Sequence, residues 1–122
     1  MRTNKPIIVY VGDENRATDF MEASDTYVLG APTLRIALAQ TVFSFPNAII
    51  IDAAPDYVQL AEAVLSHLHT IKHPPIVLLS DDRNVWDTED IADVCILPQT
   101  STYQAIAAYL RGVLSGELEA AS

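Results

Sequence analysis

PNAIIIDAAPD, Pro46 to Asp56, is the stretch whose reading decides the fold. Four apolar residues, Ala48 to Ile51, run without interruption into one carboxylate, Asp52. The run is too short for a helix and rich in Ile, so it reads as a strand buried on both faces. Asp52 then stands at the strand's carboxyl end, where the chain leaves the core. In open parallel α/β sheets, that edge is where ligands and chemistry gather.

On the amino-terminal side, Ile7 to Val11 is a β-branched and aromatic run, hence a first strand. A polar turn, Gly12 to Asn15, ends it. A helix follows, with Ala17, Phe20 and Met21 at i, i+3 and i+4. Thr26 to Leu29 reads as a second short strand, closed by Gly30. Thr33 fits the N-cap of a helix whose apolar face is Leu34, Ala37, Leu38 and Val42.

On the carboxyl-terminal side, Tyr57, Leu60, Ala61, Val64, Leu65 and Leu68 draw the clearest helical face in the chain. Pro74 and Pro75 cannot continue that helix. Ile76 to Leu79 is a fourth strand, running into Ser80, Asp81 and Asp82. Between Asp81 and Asp93 the pattern weakens to isolated Val85, Trp86 and Ile91, so a short or irregular helix is expected. Val94 to Leu97 is a fifth strand, halted by Pro98. The last helix opens at Ser101, where Ser101 and Gln104 fit a capping box. Its face is Tyr103, Ile106, Ala107, Leu110 and Leu114.

Strands alternating with helices call for a doubly wound parallel sheet with helices on both faces. At 122 residues the chain holds one domain, expected over 1–116, with 117–122 as a tail or the start of a linker. Half of the residues are hydrophobic, which excludes disorder. The net charge of −9 argues against direct nucleic-acid or anionic-membrane binding, because phosphates would be repelled. No apolar run reaches the ~20 residues of a membrane span, and the start is not a signal peptide, so a cytoplasmic location is expected. The single cysteine, Cys95, reads as a small core residue. His67, His69 and His73 lack the acid or Cys that would complete a metal set.

The order of these features resembles the receiver domain of bacterial response regulators (CheY-like, flavodoxin-like) over nearly the full length. An acidic turn follows strand 1 (VYVGDE), a lone Asp follows strand 3 (IIIDAAPD), a hydroxyl follows strand 4 (IVLLS) and a proline ends strand 5 (CILP). The resemblance implies five strands in the order 2-1-3-4-5. It implies phosphoryl transfer from a phospho-histidine donor to Asp52, with Ser80 as the hydroxyl that bonds the phosphoryl group. It also implies a Mg²⁺ held by Asp13, Asp52 and the backbone carbonyl of Ala54, with Glu14 as a substitute ligand. Histidine kinases or other signalling proteins would be the partners, with a homodimer as a further assembly.

The chain departs from that family at five places, one of them a truncated helix 4, because the strand-4 hydroxyl and the strand-5 proline lie closer in sequence than usual. Gly12 replaces the first acid after strand 1. Leu97 replaces the lysine that carries positive charge to the phosphoryl oxygens, which removes a stabiliser of the transition state. Val94 aligns with the aromatic switch residue, and Pro55 arrives one residue early after the aspartate. The pattern is that of an atypical or pseudo-receiver. The reading is therefore a receiver-like signalling domain of a two-component phosphorelay, accepting phosphate on Asp52. The alternative is a pseudo-receiver, an interaction or dimerisation module that takes no phosphate. Nothing points to enzyme activity beyond self-phosphorylation. A small-ligand binder on the same sheet ranks last, because a glycine-rich phosphate loop is missing.

Overall fold

The computed structural model describes residues 6–24, 26–81, 86 and 93–115. Strand β1 is Ile7–Val11, α1 is Glu14–Ser24, β2 is Tyr27–Ala31 and α2 is Leu34–Phe43. Strand β3, Ala48–Asp52, leads through a 3₁₀ turn, Pro55–Tyr57, into α3, Val58–Leu68. Strands β4 (Ile76–Leu79) and β5 (Val94–Leu97) precede α4, Tyr103–Ser115. The five strands are parallel and lie in the order β2-β1-β3-β4-β5, as the resemblance implied. The expected short or irregular helix between Asp81 and Asp93, and the tail 117–122, lie outside the described residues.

Strand side chains alternate between the two faces of a sheet. Here the alternation builds two cores. Val9, Val11, Ile49, Ile51, Ile76 and Leu78 point to one face and pack against Ala37 of α2 and Ala61, Val64, Leu65 and Leu68 of α3. Ile8, Tyr10, Ala48, Ile50, Val77 and Leu79 point to the other and meet Ala17 and Phe20 of α1 and Ile106 and Leu110 of α4. Asp52 follows Ile50 by two residues, so its side chain shares the α1/α4 face with Tyr10. That parity decides which residues can reach it.

The element ends follow local chemistry. Thr33 caps α2 as expected, its hydroxyl accepting the Ile36 amide at 3.3 Å. Strand β2 runs to Ala31 and contains Gly30, because each of its residues pairs with β1 and pairing outweighs glycine's entropy cost. The N-cap of helix α4 lies one residue later than the capping-box reading. Ser101 is held in a turn by its amide to the Pro98 carbonyl, at 3.0 Å, and Thr102 caps the helix instead. The Thr102 hydroxyl accepts the Ala105 amide at 3.1 Å. Met21 and Val42, read as core-facing, are 38% and 50% exposed; Ser24 and Thr41 are buried on those helices instead.

Candidate functional site

Strands β1 and β3 pair in parallel, Val11 opposite Ile51, which brings the Gly12-Asp13 turn and Asp52 to one edge of the sheet. Asp52 is 1% exposed there. A buried carboxylate needs partners, since an isolated charge is costly to remove from water. Three residues on the α1/α4 side supply them. The Tyr10 hydroxyl donates to Oδ2 at 2.7 Å. The Arg16 guanidinium places Nε 3.0 Å from the same oxygen. The Gln99 side-chain amide donates to Oδ1 at 3.2 Å.

None of these three residues was among the site residues read from the sequence. A signal for two of them was present. Tyr10 lies opposite Ile50 in the register, so the two-residue period puts Tyr10 and Asp52 on one face. Arg16 lies three residues past Asp13, on the first turn of the helix that covers this face. Gln99 comes from the loop after β5, whose course a sequence pattern does not fix.

Tyr10 and Arg16 both feel the Asp52 carboxylate. Burial works against the Arg16 charge, but the Asp52 carboxylate together with Tyr10 and Tyr103 outweighs it, so the guanidinium pKa is raised. Arg16 Nε is itself buried and has no aligned hydrogen bond, so its contact with Asp52 is one of charge. Burial, and then the bond to Asp52, pushes the Tyr10 phenol above its ordinary range. Tyr10 is therefore a fixed proton donor to a carboxylate that a cation already neutralises.

The remaining predicted residues are engaged locally. Asp13 Oδ1 accepts the Asn15 amide at 2.8 Å, and its carbonyl accepts that of Ala17 at 3.0 Å, which is helix capping. Glu14 is the exposed first residue of α1. The Ala54 carbonyl accepts the Tyr57 amide at 2.7 Å and starts the 3₁₀ turn. Ser80 is buried at the end of β4, and its hydroxyl accepts the Trp86 indole N–H at 2.8 Å. Leu97, in the position of the family's lysine, packs into the α1/α4 core. His67 and His73 turn a ring nitrogen to a backbone carbonyl, of Ala63 and Pro74 respectively.

This donor set does not fit a divalent cation as it stands. Mg²⁺ asks for free carboxylate oxygens in near-octahedral order. Asp52 Oδ2 already holds a guanidinium and a phenol, and the Asp13 carboxylate caps α1. Among the described residues, no three His, Cys, Asp or Glu side chains group as a metal site. Gly12 shows why the missing acid is not simply a lost side chain. Its φ is +138°, and a Cβ there would lie 3.2 Å from that of Asp52.

No protein-family model matches the chain, and no curated protein matches it. Solved structures do. The chain is similar to a CheY-like response regulator receiver domain from Methanospirillum hungatei, at 17% identity and a TM-score of 0.72, over 96% of this chain and 98% of that one. It is similar to another from Methylobacillus flagellatus, at 17% identity and a TM-score of 0.67, over 91% and 99%. It is also similar to the pseudo-receiver domain of the CikA protein, at 20% identity and a TM-score of 0.64, over 91% and 97%. At such identities the likeness shows the fold, which is the CheY-like receiver fold.

Proposed function

We propose that this chain is a receiver-like signalling domain of the pseudo-receiver kind, which passes signals by protein contact and takes no phosphate on Asp52. The observation that carries this reading is the Arg16 guanidinium on Asp52 Oδ2. A carboxylate attacks phosphorus as an oriented, accessible nucleophile, with cations placed to neutralise the phosphoryl oxygens. Asp52 has the opposite arrangement. It is buried, both of its oxygens are bonded, and its cation neutralises the nucleophile itself.

The two losses in the sequence support the same reading. Leu97 brings no charge to the carboxyl edge, and Gly12 brings no second acid for a metal. Ser80 is engaged with Trp86. The partners are then signalling proteins, a histidine kinase among them, that recognise the folded surface in a cytoplasmic setting. No helix among the described residues is long and apolar enough to cross a membrane.

Incubation with acetyl phosphate and Mg²⁺, followed by intact mass, tests the proposal. The expected mass is unchanged. Gain of one phosphoryl group that disappears in Asp52→Ala would return the chain to the phosphorelay reading.

A further inference from the structure

On the outer side of Arg16 lies a cleft of about 550 Å³, bounded by α1 and by residues 99–104 of the loop that enters α4. We propose that this cleft binds a small polar metabolite carrying an oxyanion, either a phosphate monoester or a carboxylate, with Arg16 as its anchor.

Size and lining point the same way. The volume falls within the ~300–1,000 Å³ usual for small-molecule clefts, well beyond the needs of a bare ion. Among the described residues, no Asp or Glu lines this cleft. Among the described residues that line it, Arg16 is the one charged side chain, and the others are hydroxyls, carboxamides and the Tyr103 ring. Such a lining offers donors to a hydroxylated body and a cation to its oxyanion.

Arg16 can serve both sides. A guanidinium carries five N–H donors in a planar fork, and only Nε is turned to Asp52. The side chain is 32% exposed, and it also bonds the Tyr103 side chain, so it reaches the lining of the cleft. Gln99 also spans the two sites, since its side chain reaches Asp52 and its residue lines the cleft. Its amide is pinned at 3.0 Å to Asp81 Oδ1, which fixes the loop.

An oxyanion drawing on Arg16 competes with Asp52 for the same charge, so occupancy of the cleft reports to the buried carboxylate. The inference rests on the reading above in taking Arg16, and not a phosphoryl group, as the resident partner of Asp52.

A ¹⁵N–¹H NMR titration at low salt, with no phosphodonor present, tests it. The probes are inorganic phosphate, a hexose phosphate and citrate, with the unphosphorylated hexose as neutral control. Saturable shifts confined to residues 99–104 and the Arg16 Nε–H are expected with at least one oxyanion and not with the neutral sugar. A response to the phosphates alone assigns a phosphate monoester, and one to citrate alone a carboxylate. Gln104→Glu should weaken binding by about tenfold or more through like charge. It should not harm folding, because Gln104 is exposed and an acid suits the first turn of a helix. No saturable shift, shifts scattered over the surface, or unchanged affinity in Gln104→Glu would overturn the proposal. A silent titration on a chain that also resists acetyl phosphate removes the cleft alone, whereas phosphate on Asp52 removes the reading beneath it.

Discussion

Tyr10 and Gly12 give this site its character at the scale of single residues. Tyr10→Phe takes a donor from a buried carboxylate and should cost about 1–3 kcal/mol of stability, read by urea denaturation. It should also alter the alkaline limb. The Tyr10 phenol is raised in the folded chain from an ordinary value of 10.0. Above pH 10, then, the unfolded chain loses a proton that the folded chain keeps, and stability falls as pH rises. That fall should be shallower in Tyr10→Phe. Tyr109 is pushed up to about 12, by burial first and then by its bond to Cys95, so part of the slope remains. At Gly12, restoring the family's acid should not rebuild a metal site. Gly12→Asp forces a side chain onto a φ of +138° beside Asp52, and a cost of about 1–3 kcal/mol is expected, again by urea denaturation. The sequence made Asp52 legible because an apolar run ended on it. Arg16 left only its place on the first turn of α1, and Gln99 was not legible, because the course of the loop after β5 leaves no local mark.

Helices α1 and α4 form the element pair that closes over Asp52. Phe20 of α1 is fully buried between Tyr10, with ring centroids 6.0 Å apart, and Tyr103 of α4, at 5.9 Å and edge-on. Phe20→Ala should cost about 3–5 kcal/mol, since a large ring leaves a cavity that three packed elements cannot close. Strands were the easier elements to read. The runs at Ile7, Ala48 and Ile76 are buried on both faces, and such strands show as unbroken apolar sequence. Helix faces were read well where packing is two-sided, as in α3. They slipped where small polar residues turn inward, at Ser24 and Thr41. Thr41 could do so because its hydroxyl bonds the Ala37 carbonyl at 2.8 Å, within its own helix. The start of α4 moved because Thr102 and Ser101 are both capping types, and the Pro98 turn, which holds Ser101, decided between them.

Charge is the property of the whole molecule on which the account depends. The chain carries 16 Asp and Glu against 7 Lys and Arg, and commits one of those cations to Asp52, the most buried acid among the described residues. Self-repulsion on so acidic a surface makes that commitment costly to undo. The same imbalance explains why the fold was legible and the state of its site was not. Parallel order follows from alternation, whereas the choice of cation for Asp52 depends on where seven basic residues come to rest. A double-mutant cycle on global stability tests that choice most directly, using Arg16→Gln, Asp52→Asn and the double variant in urea. The account predicts a coupling energy of about 1 kcal/mol or more, because each single change strands the other member of the pair. Additive losses, with no coupling beyond error, would contradict it and leave Asp52 open to the phosphoryl chemistry of a working receiver.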